Sequence, residues 1–381
     1  MTVIVTIEDL RVLAEKRVPR MFYEYVDSGS WSESTYRANT ADFGCMKFRQ
    51  RVAVNVERRN LKTRMAGQEV AMPLAIAPTG IAGMQRADGE ILGARAAEKF
   101  GVPFVLSTMS VCSIEDIAEH TAAPFWFQLY VMRDRDFMVR LIDRAAAAKC
   151  SALVVTVDLQ FHGVRLKEIR NGLSVPPKMT ISNLVNLLSK PRWCLEMART
   201  KRRTFGNIVG HAANVTDITS MSSWVSQQFD PTLSWDDVKW IRRRWPGKLI
   251  IKGIMCAEDA RLAVNSGADA IVVSNHGGRQ MDHAPSTISA LPGIVDAVGR
   301  DTEVHIDGGI RSGHDLLKAL ALGAKAGYIG RSFLYGLAAR GESGVTRCLE
   351  IIRQDLDLML AFVGLDDVNA VDRDILIAGT Y

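Results

Sequence analysis

Ala270-Ile271-Val272-Val273-Ser274-Asn275-His276-Gly277-Gly278-Arg279 joins a four-residue aliphatic run to a polar, glycine-loosened turn. The run is short and β-branched, as expected of a strand buried on both faces in a parallel sheet covered by helices. Seven further runs have the same character, at 74–77, 103–106, 125–129, 153–157, 249–251, 304–306 and 328–329. Amphipathic stretches lie between them, for example 88–100, 134–149, 257–266 and 313–322, and several end at a glycine where a helix C-cap is expected. Alternation of this kind predicts an α/β chain, and eight units predict a (β/α)8 TIM barrel.

A barrel concentrates its chemistry just beyond the C-terminal ends of its strands. Polar and glycine residues collect there in this chain: Pro78, Thr79 and Gly80 after the first run, Ser107 after the second, Gln128 and Tyr130 at the third, Thr156 and Asp158 at the fourth. Lys252 follows the fifth run, Ser274, His276 and Arg279 the sixth, Asp307-Gly308-Gly309-Ile310-Arg311 the seventh, and Gly330-Arg331 the eighth. Taken singly, each reads more readily as a cap or a solvated residue; their common position points to a site. Histidine can take a proton near neutral pH, and a guanidinium three residues on can grip a carboxylate with two parallel hydrogen bonds. The pair suits a substrate that is both an alcohol and an acid. The last two loops, with Gly308, Gly309, Gly330, Arg311 and Arg331, suit a phosphate. No strand is followed by the GxGxxG spacing of a dinucleotide turn, which disfavours a Rossmann-type NAD site.

The 381 residues, 48% hydrophobic and with a net charge of +5, suffice for one large globular core. The sequence lacks an apolar run of the roughly 20 residues needed to cross a bilayer, and its first residues do not read as a secretory signal, so a cytoplasmic location is expected. The six cysteines are widely spaced and read as reduced packing residues. His120, His162, His211, His305 and His314 show no metal-ligand spacing and read as structural or solvated, and no metal is expected.

We read residues 1–381 as a single domain: an N-terminal helical extension over 1–67, a barrel over 68–363, an insertion over 172–234 between the fourth and fifth strands, and a tail over 364–381. In the insertion, 178–203 carries Lys178, Lys190, Arg192, Arg199, Lys201, Arg202 and Arg203 against Glu196 alone, interleaved with Met179, Ile181, Leu184, Val185, Leu187, Leu188, Trp193, Leu195 and Met197. Two readings stand side by side: a peripheral helix lying on an anionic membrane surface, on the inner face of the cytoplasmic membrane, or an ordinary amphipathic cover for the barrel. Nucleic-acid binding is disfavoured, because interleaved stacking aromatics are missing.

Lys252-Gly253-Ile254, the segment from Ser274 to Asp282, Asp307-Gly308-Gly309-Ile310-Arg311 and Ile329-Gly330-Arg331 together resemble the FMN-dependent L-2-hydroxy-acid oxidase and dehydrogenase family, of the glycolate oxidase and bacterial respiratory L-lactate dehydrogenase type. The likeness spans nearly the whole chain, and Phe205-Gly206-Asn207-Ile208, Phe229-Asp230-Pro231 and Leu233-Ser234-Trp235 are most similar to the lactate dehydrogenase branch. The resemblance implies FMN as cofactor, oxidation of L-lactate or a close L-2-hydroxy acid to the 2-oxo acid, a quinone or similar respiratory acceptor, and a homotetramer. An oxidase that passes electrons to O2 and makes H2O2 is the alternative. It implies His276 as base with Asp158 as its partner, Arg279 and Arg165 on the substrate carboxylate, and Tyr25 and Tyr130 on the substrate's polar ends. Lys252 would sit beside the flavin, with Pro78, Thr79, Gly80, Ser107, Gln128, Thr156 and Ser274 around its ring. Asp307, Gly308, Gly309, Arg311, Gly330 and Arg331 would hold the rest of FMN and its phosphate. Oxidising an alcohol removes two electrons, which no side chain accepts, so a redox cofactor is required.

The chain departs from the family pattern at Gln160, where a proline is frequent, at Leu166, where an acidic or aromatic residue is, and at Met109, where a large aromatic is. His283 also departs, standing where glycine is frequent. A flavin-free phosphate-binding isomerase or aldolase, with Lys252 forming a Schiff base, is the competing enzyme class, and a catalytically idle membrane scaffold is the non-enzymatic one.

Overall fold

The computed structural model describes residues 3–173, 180–212, 215, 224 and 227–381. An antiparallel hairpin, β1 (Thr63–Met65) and β2 (Gln68–Val70), precedes eight parallel strands. These are β3 (Leu74–Ile76), β4 (Val105–Ser107), β5 (Trp126–Tyr130), β6 (Ala152–Thr156), β7 (Lys248–Ile254), β8 (Ala270–Val273), β9 (Glu303–Asp307) and β10 (Ala326–Ile329). Each expected run falls on one of them. Their order is β3-β10-β9-β8-β7-β6-β5-β4, and β3 meets β4 through a parallel bridge between Ile76 and Phe104, with the Ile76 N–H 2.9 Å from the Pro103 carbonyl. The sheet thus closes into a (β/α)8 barrel.

Alternate strand residues face two different cores, which is why the runs are apolar without interruption. Ala75, Val105, Trp126, Val154, Ile250, Val272 and Tyr328 pack together in one cluster, and Met65, Ala66 and Val70 of the hairpin join it. Polar bonds fix that junction: Trp126 Nε1 donates to Gln68 Oε1 at 3.1 Å and the Ala66 N–H to the Glu303 carboxylate at 2.8 Å. Leu74, Ile76, Leu106, Leu153, Val155, Ile271, Val273 and Ile306 belong to the larger cluster shared with the helices. Burying each such side chain is worth about 1.5–3 kcal/mol, which sets the strand register firmly.

The N-terminal extension is helical over Ile7–Arg17, Arg20–Val26 and Ser34–Cys45; the first helix starts from a capping box between Thr6 and Asp9. Just after the second helix, Asp27 accepts from Tyr23 at 2.8 Å and from Tyr36 and Tyr335 at 2.7 Å each, which joins the extension to the helix Arg331–Arg340.

In the insertion, helices Ile181–Leu188 and Pro191–Arg199 lean on this extension. The Arg20 N–H donates to Asn186 Oδ1 at 2.7 Å, Trp193 Nε1 donates to the Met84 carbonyl at 2.8 Å, and the Trp193 ring stacks on Phe22. Their outer sides leave Ile181 (84%), Val185 (63%), Leu188 (66%) and Leu195 (51%) exposed. The basic stretch is not a uniform lipid-facing surface. Arg202 is tied to Asp88 at 3.1 Å and Asp116 at 2.7 Å, and Lys190 donates to the Lys16 carbonyl at 2.7 Å. Lys178 and Met179 lie outside the described residues. Among the described residues no helix is long and apolar enough to cross a membrane.

Candidate active site

The β8 strand ends at Val273; Ser274 follows, and the chain then turns through His276, Gly277 and Gly278 with φ of 56°, 66° and 72°. The glycines are required for close approach: a Cβ on Gly277 would lie 2.6 Å from the Arg331 guanidinium, and one on Gly278 would lie 2.5 Å from the Tyr36 backbone nitrogen. His276, a non-glycine residue in the left-handed region, carries strain of the kind that collects at functional sites. Its Nδ1 lies 2.9 Å from Asp158 Oδ1. Because a carboxylate accepts at that distance, Nδ1 carries the proton and Nε2 keeps the lone pair. Asp158 Oδ2 is buried and has no partner among the described residues.

Burial pushes the His276 pKa below its ordinary 6.5; Asp158 opposes the shift, while Lys252 and Arg165 add to it. Lys252, on β7, is buried as well, yet Asp307 and Asp158 more than offset the desolvation and raise its pKa, so it stays charged. Its Nζ lies 2.9 Å from Asp307 Oδ2 and donates to Ser274 Oγ at 2.8 Å. The Ser274 hydroxyl donates to Asp307 at 3.0 Å and accepts from the His276 N–H at 3.2 Å, coupling the lysine to the turn that carries His276.

Arg279 and Arg165, both largely but not fully buried, flank one carboxylate of the chain itself, Glu168, whose Oε1 is 2.7 Å from Arg279 and 3.6 Å from Arg165. Arg279 also donates to the Tyr25 carbonyl and lies over the Tyr25 ring, 4.6 Å from its centroid. Arg165 donates to the Arg279 carbonyl at 3.3 Å and to Gln280 Oε1 at 3.1 Å. The loop after β6 and the turn after β8 are thereby locked together.

One cavity of about 380 Å³ is lined by Tyr25, Pro78, Thr79, Gly80, Tyr130, Arg165, Lys252, His276 and Arg279. The same cavity is lined by Asp307, Gly308, Gly309, Arg311, Gly330 and Arg331. Ser107, Gln128, Thr156 and Ser274 do not line it. They are buried: Gln128 accepts from Ser107 at 3.2 Å and donates to Thr156 at 3.1 Å. Arg331 is more committed than expected of a phosphate ligand. It donates to the carbonyls of Val26 at 2.8 Å, Gly277 at 2.8 Å and Ser28 at 2.6 Å, and its guanidinium lies over Tyr36.

Three contributors escape a reading of the sequence. Glu168 compensates the two arginines, and Gln280 bonds to the Asp158 and Phe161 carbonyls at 3.0 and 2.6 Å. His162, expected to be structural or solvated, is exposed and also lines the cavity. The only signal was position, since all three lie within a few residues of an assigned group.

The sequence model of the family described as FMN-dependent dehydrogenase matches residues 14–378. The chain is 42% identical to an L-lactate dehydrogenase of Pseudomonas syringae pv. syringae (strain B728a) over 376 residues, 98% of this chain and 99% of the relative. It is 42% identical to an L-lactate dehydrogenase of Yersinia pestis (strain Pestoides F) over 369 residues, 97% of each. Among solved structures, a crystal structure of the monotopic membrane protein (S)-mandelate dehydrogenase superposes with a TM-score of 0.94 at 37% identity, covering 99% of this chain and 100% of the other. A soluble mutant of the membrane-associated (S)-mandelate dehydrogenase from Pseudomonas putida gives 0.84 at 36% identity, covering 98% and 99%.

Proposed function

We propose, from the premise that this chain belongs to the FMN-dependent dehydrogenase family, that its site oxidises L-lactate or a close L-2-hydroxy acid to the 2-oxo acid. The observation that carries the reading is His276, bonded to Asp158 and sharing one cavity with Arg279, Arg165 and Lys252. The residues fit FMN: a charged lysine and a glycine- and arginine-lined cradle open on the same cavity, and a Cβ at Gly330 would meet nothing nearer than 3.6 Å. Lys252 would lie beside the ring, Pro78, Thr79 and Gly80 would border it, and Gly308, Gly309 and Arg311 would hold the phosphate, with Arg331 bracing their surroundings. When bound, FMN supplies the two-electron acceptor that side chains lack.

The chain's own groups do the rest. Arg279 and Arg165 bind the substrate carboxylate, and Glu168 keeps their summed charge from driving them apart. Tyr130 and Tyr25 hydrogen-bond the substrate's polar ends. His276 Nε2 takes a proton from the carbinol carbon or hydroxyl, and Asp158 stabilises the imidazolium that results. Lys252 places fixed positive charge where negative charge develops, in a site screened little by water.

The physiological acceptor in this reading is a membrane quinone or a similar respiratory carrier, reached by docking the exposed faces of the helices Ile181–Leu188 and Pro191–Arg199 on anionic lipid. Exposed apolar side chains beside Arg192, Arg199 and Lys201 support it, as does the membrane association of two structural relatives. The test is anaerobic mixing of the FMN-loaded protein with L-lactate and other L-2-hydroxy acids while following flavin absorption. Bleaching by the L acids is expected; a flavin that none of them reduces overturns the reading. Reoxidation faster with a quinone analogue than with O2 supports the respiratory acceptor, and the reverse order refutes it.

A further inference from the structure

His162 has no part in the chemistry above, yet it shares the cavity wall with His276 and Arg279. Its loop is held firmly. The Gly163 N–H donates to Gln280 Oε1 at 3.4 Å, and Gln160 donates to the Leu233 carbonyl at 2.9 Å. The imidazole packs edge-to-face on Phe229 with centroids 4.1 Å apart, and Phe229 is in turn fixed by a bridge to Met132.

Among the described residues neither ring nitrogen of His162 has a hydrogen-bond partner. Although the residue is exposed, partial desolvation of its ring on this wall, with the nearby charges of Arg165, His276 and Arg279, brings its pKa down to about 4. Near neutral pH the ring is therefore uncharged, with one donor and one acceptor nitrogen. Uncharged side chains on the same cavity include Met109, Leu159, Phe205 and Phe229, which offer it no hydrogen bond. His162 is solvent-exposed, so water can satisfy its ring nitrogens while the cavity is empty; a substrate side chain that displaces this water must replace its hydrogen bonds or forfeit them, and the methyl group of lactate cannot replace them.

We propose that His162 is a specificity-determining residue that hydrogen-bonds an uncharged hydroxyl or carbonyl on the substrate's side chain, so the site favours a 2-hydroxy acid bearing such a group over its plain hydrocarbon counterpart. The inference rests on the 2-hydroxy-acid reading and adds the class of side chain. A neutral imidazole gives no corresponding preference for a second carboxylate.

The test compares L acids in pairs that differ by one oxygen: lactate with glycerate, and 3-phenyllactate with 3-(4-hydroxyphenyl)lactate. The readout is kcat/KM for flavin reduction by the FMN-loaded protein. At least one oxygenated acid should be preferred by about tenfold, the size of one well-made hydrogen bond. His162→Phe, which keeps an aromatic ring against Phe229, should bring that ratio near one, and His162→Gln should restore part of it. Should His162→Phe lose its flavin, His162→Leu serves in its place. Equal rates within both pairs, or a preference that survives loss of the imidazole, overturn the proposal while leaving the parent reading intact. A flavin that no 2-hydroxy acid reduces overturns both.

Discussion

Asp158 and burial decide what His276 can do. Asp158 fixes the proton on Nδ1, and burial keeps the ring neutral to lower pH than a free imidazole. As the proposed base, His276 must be neutral in the free enzyme, so on the acid side kcat/KM should fall as pH drops through this lowered pKa. We expect the acid limb of the pH profile to lie below 6.5. Asp158→Asn removes the one influence that raises the His276 pKa, so the limb should move further down while kcat falls by about 10²–10⁴. A limb that moves up, or an unchanged kcat, refutes the pairing. His276→Ala should abolish flavin reduction while leaving FMN bound, as read from the absorption of the protein fraction after gel filtration; residual turnover near wild type removes His276 from the role of base. His276, Arg279 and Lys252 were legible as candidates because each follows an apolar run in the sequence, although Lys252 itself lies within β7. Glu168 was not, since what gives it meaning is two guanidiniums that only the folded chain brings around it.

Strands and helices were legible to different degrees, and burial explains the difference. β8 and β6 face core on both sides, so their composition alone marks them, whereas β7 runs on to Ile254 through a register shift at Lys252 and Ile254 that no aliphatic count reveals. The extension's helix Ile7–Arg17 announces itself by its cap, but the anchor that seats the next helix does not, because Asp27 meets Tyr335 across 308 residues of sequence. Burial raises the Asp27 pKa, but hydrogen bonds from Tyr36, Tyr335 and Tyr23 more than offset it and bring the value down to about 2, from an ordinary 3.8. A depressed carboxyl pKa contributes stability that is present above the unfolded value and lost as pH falls through the folded one. The Asp27 share, about 2 kcal/mol, should therefore hold above pH 4 and disappear between about pH 4 and pH 2. Asp27→Asn should lower urea-unfolding stability by a similar amount near neutral pH and flatten that part of the acid profile; an unaltered midpoint excludes the anchor.

For the molecule as a whole, the closed barrel settles where chemistry occurs, while the two insertion helices settle what surface is left over. Ile181, Val185, Leu188 and Leu195 are exposed although each could be worth about 1.5–3 kcal/mol if buried, and Arg192, Arg199 and Lys201 lie nearby with their heads in solvent. On anionic lipid each cation adds about 1 kcal/mol, screened by salt, while the apolar contribution is not. The two kinds of contact can therefore be separated. Arg192→Gln, Arg199→Gln and Lys201→Gln together should reduce sedimentation with anionic vesicles at low ionic strength and have little effect at high. Ile181→Ser, Val185→Ser and Leu188→Ser should weaken sedimentation at both. Arg202→Gln belongs to neither set: its guanidinium is held by Asp88 and Asp116, so its loss should lower stability rather than lipid affinity. Neither surface set touches the cavity, so flavin reduction by a 2-hydroxy acid in detergent-free buffer should continue while transfer to a membrane quinone analogue fails. Wild-type protein that stays in the supernatant with anionic vesicles, or surface variants that sediment as wild type does, would sink the docking idea and leave the exposed faces to be covered by some other partner.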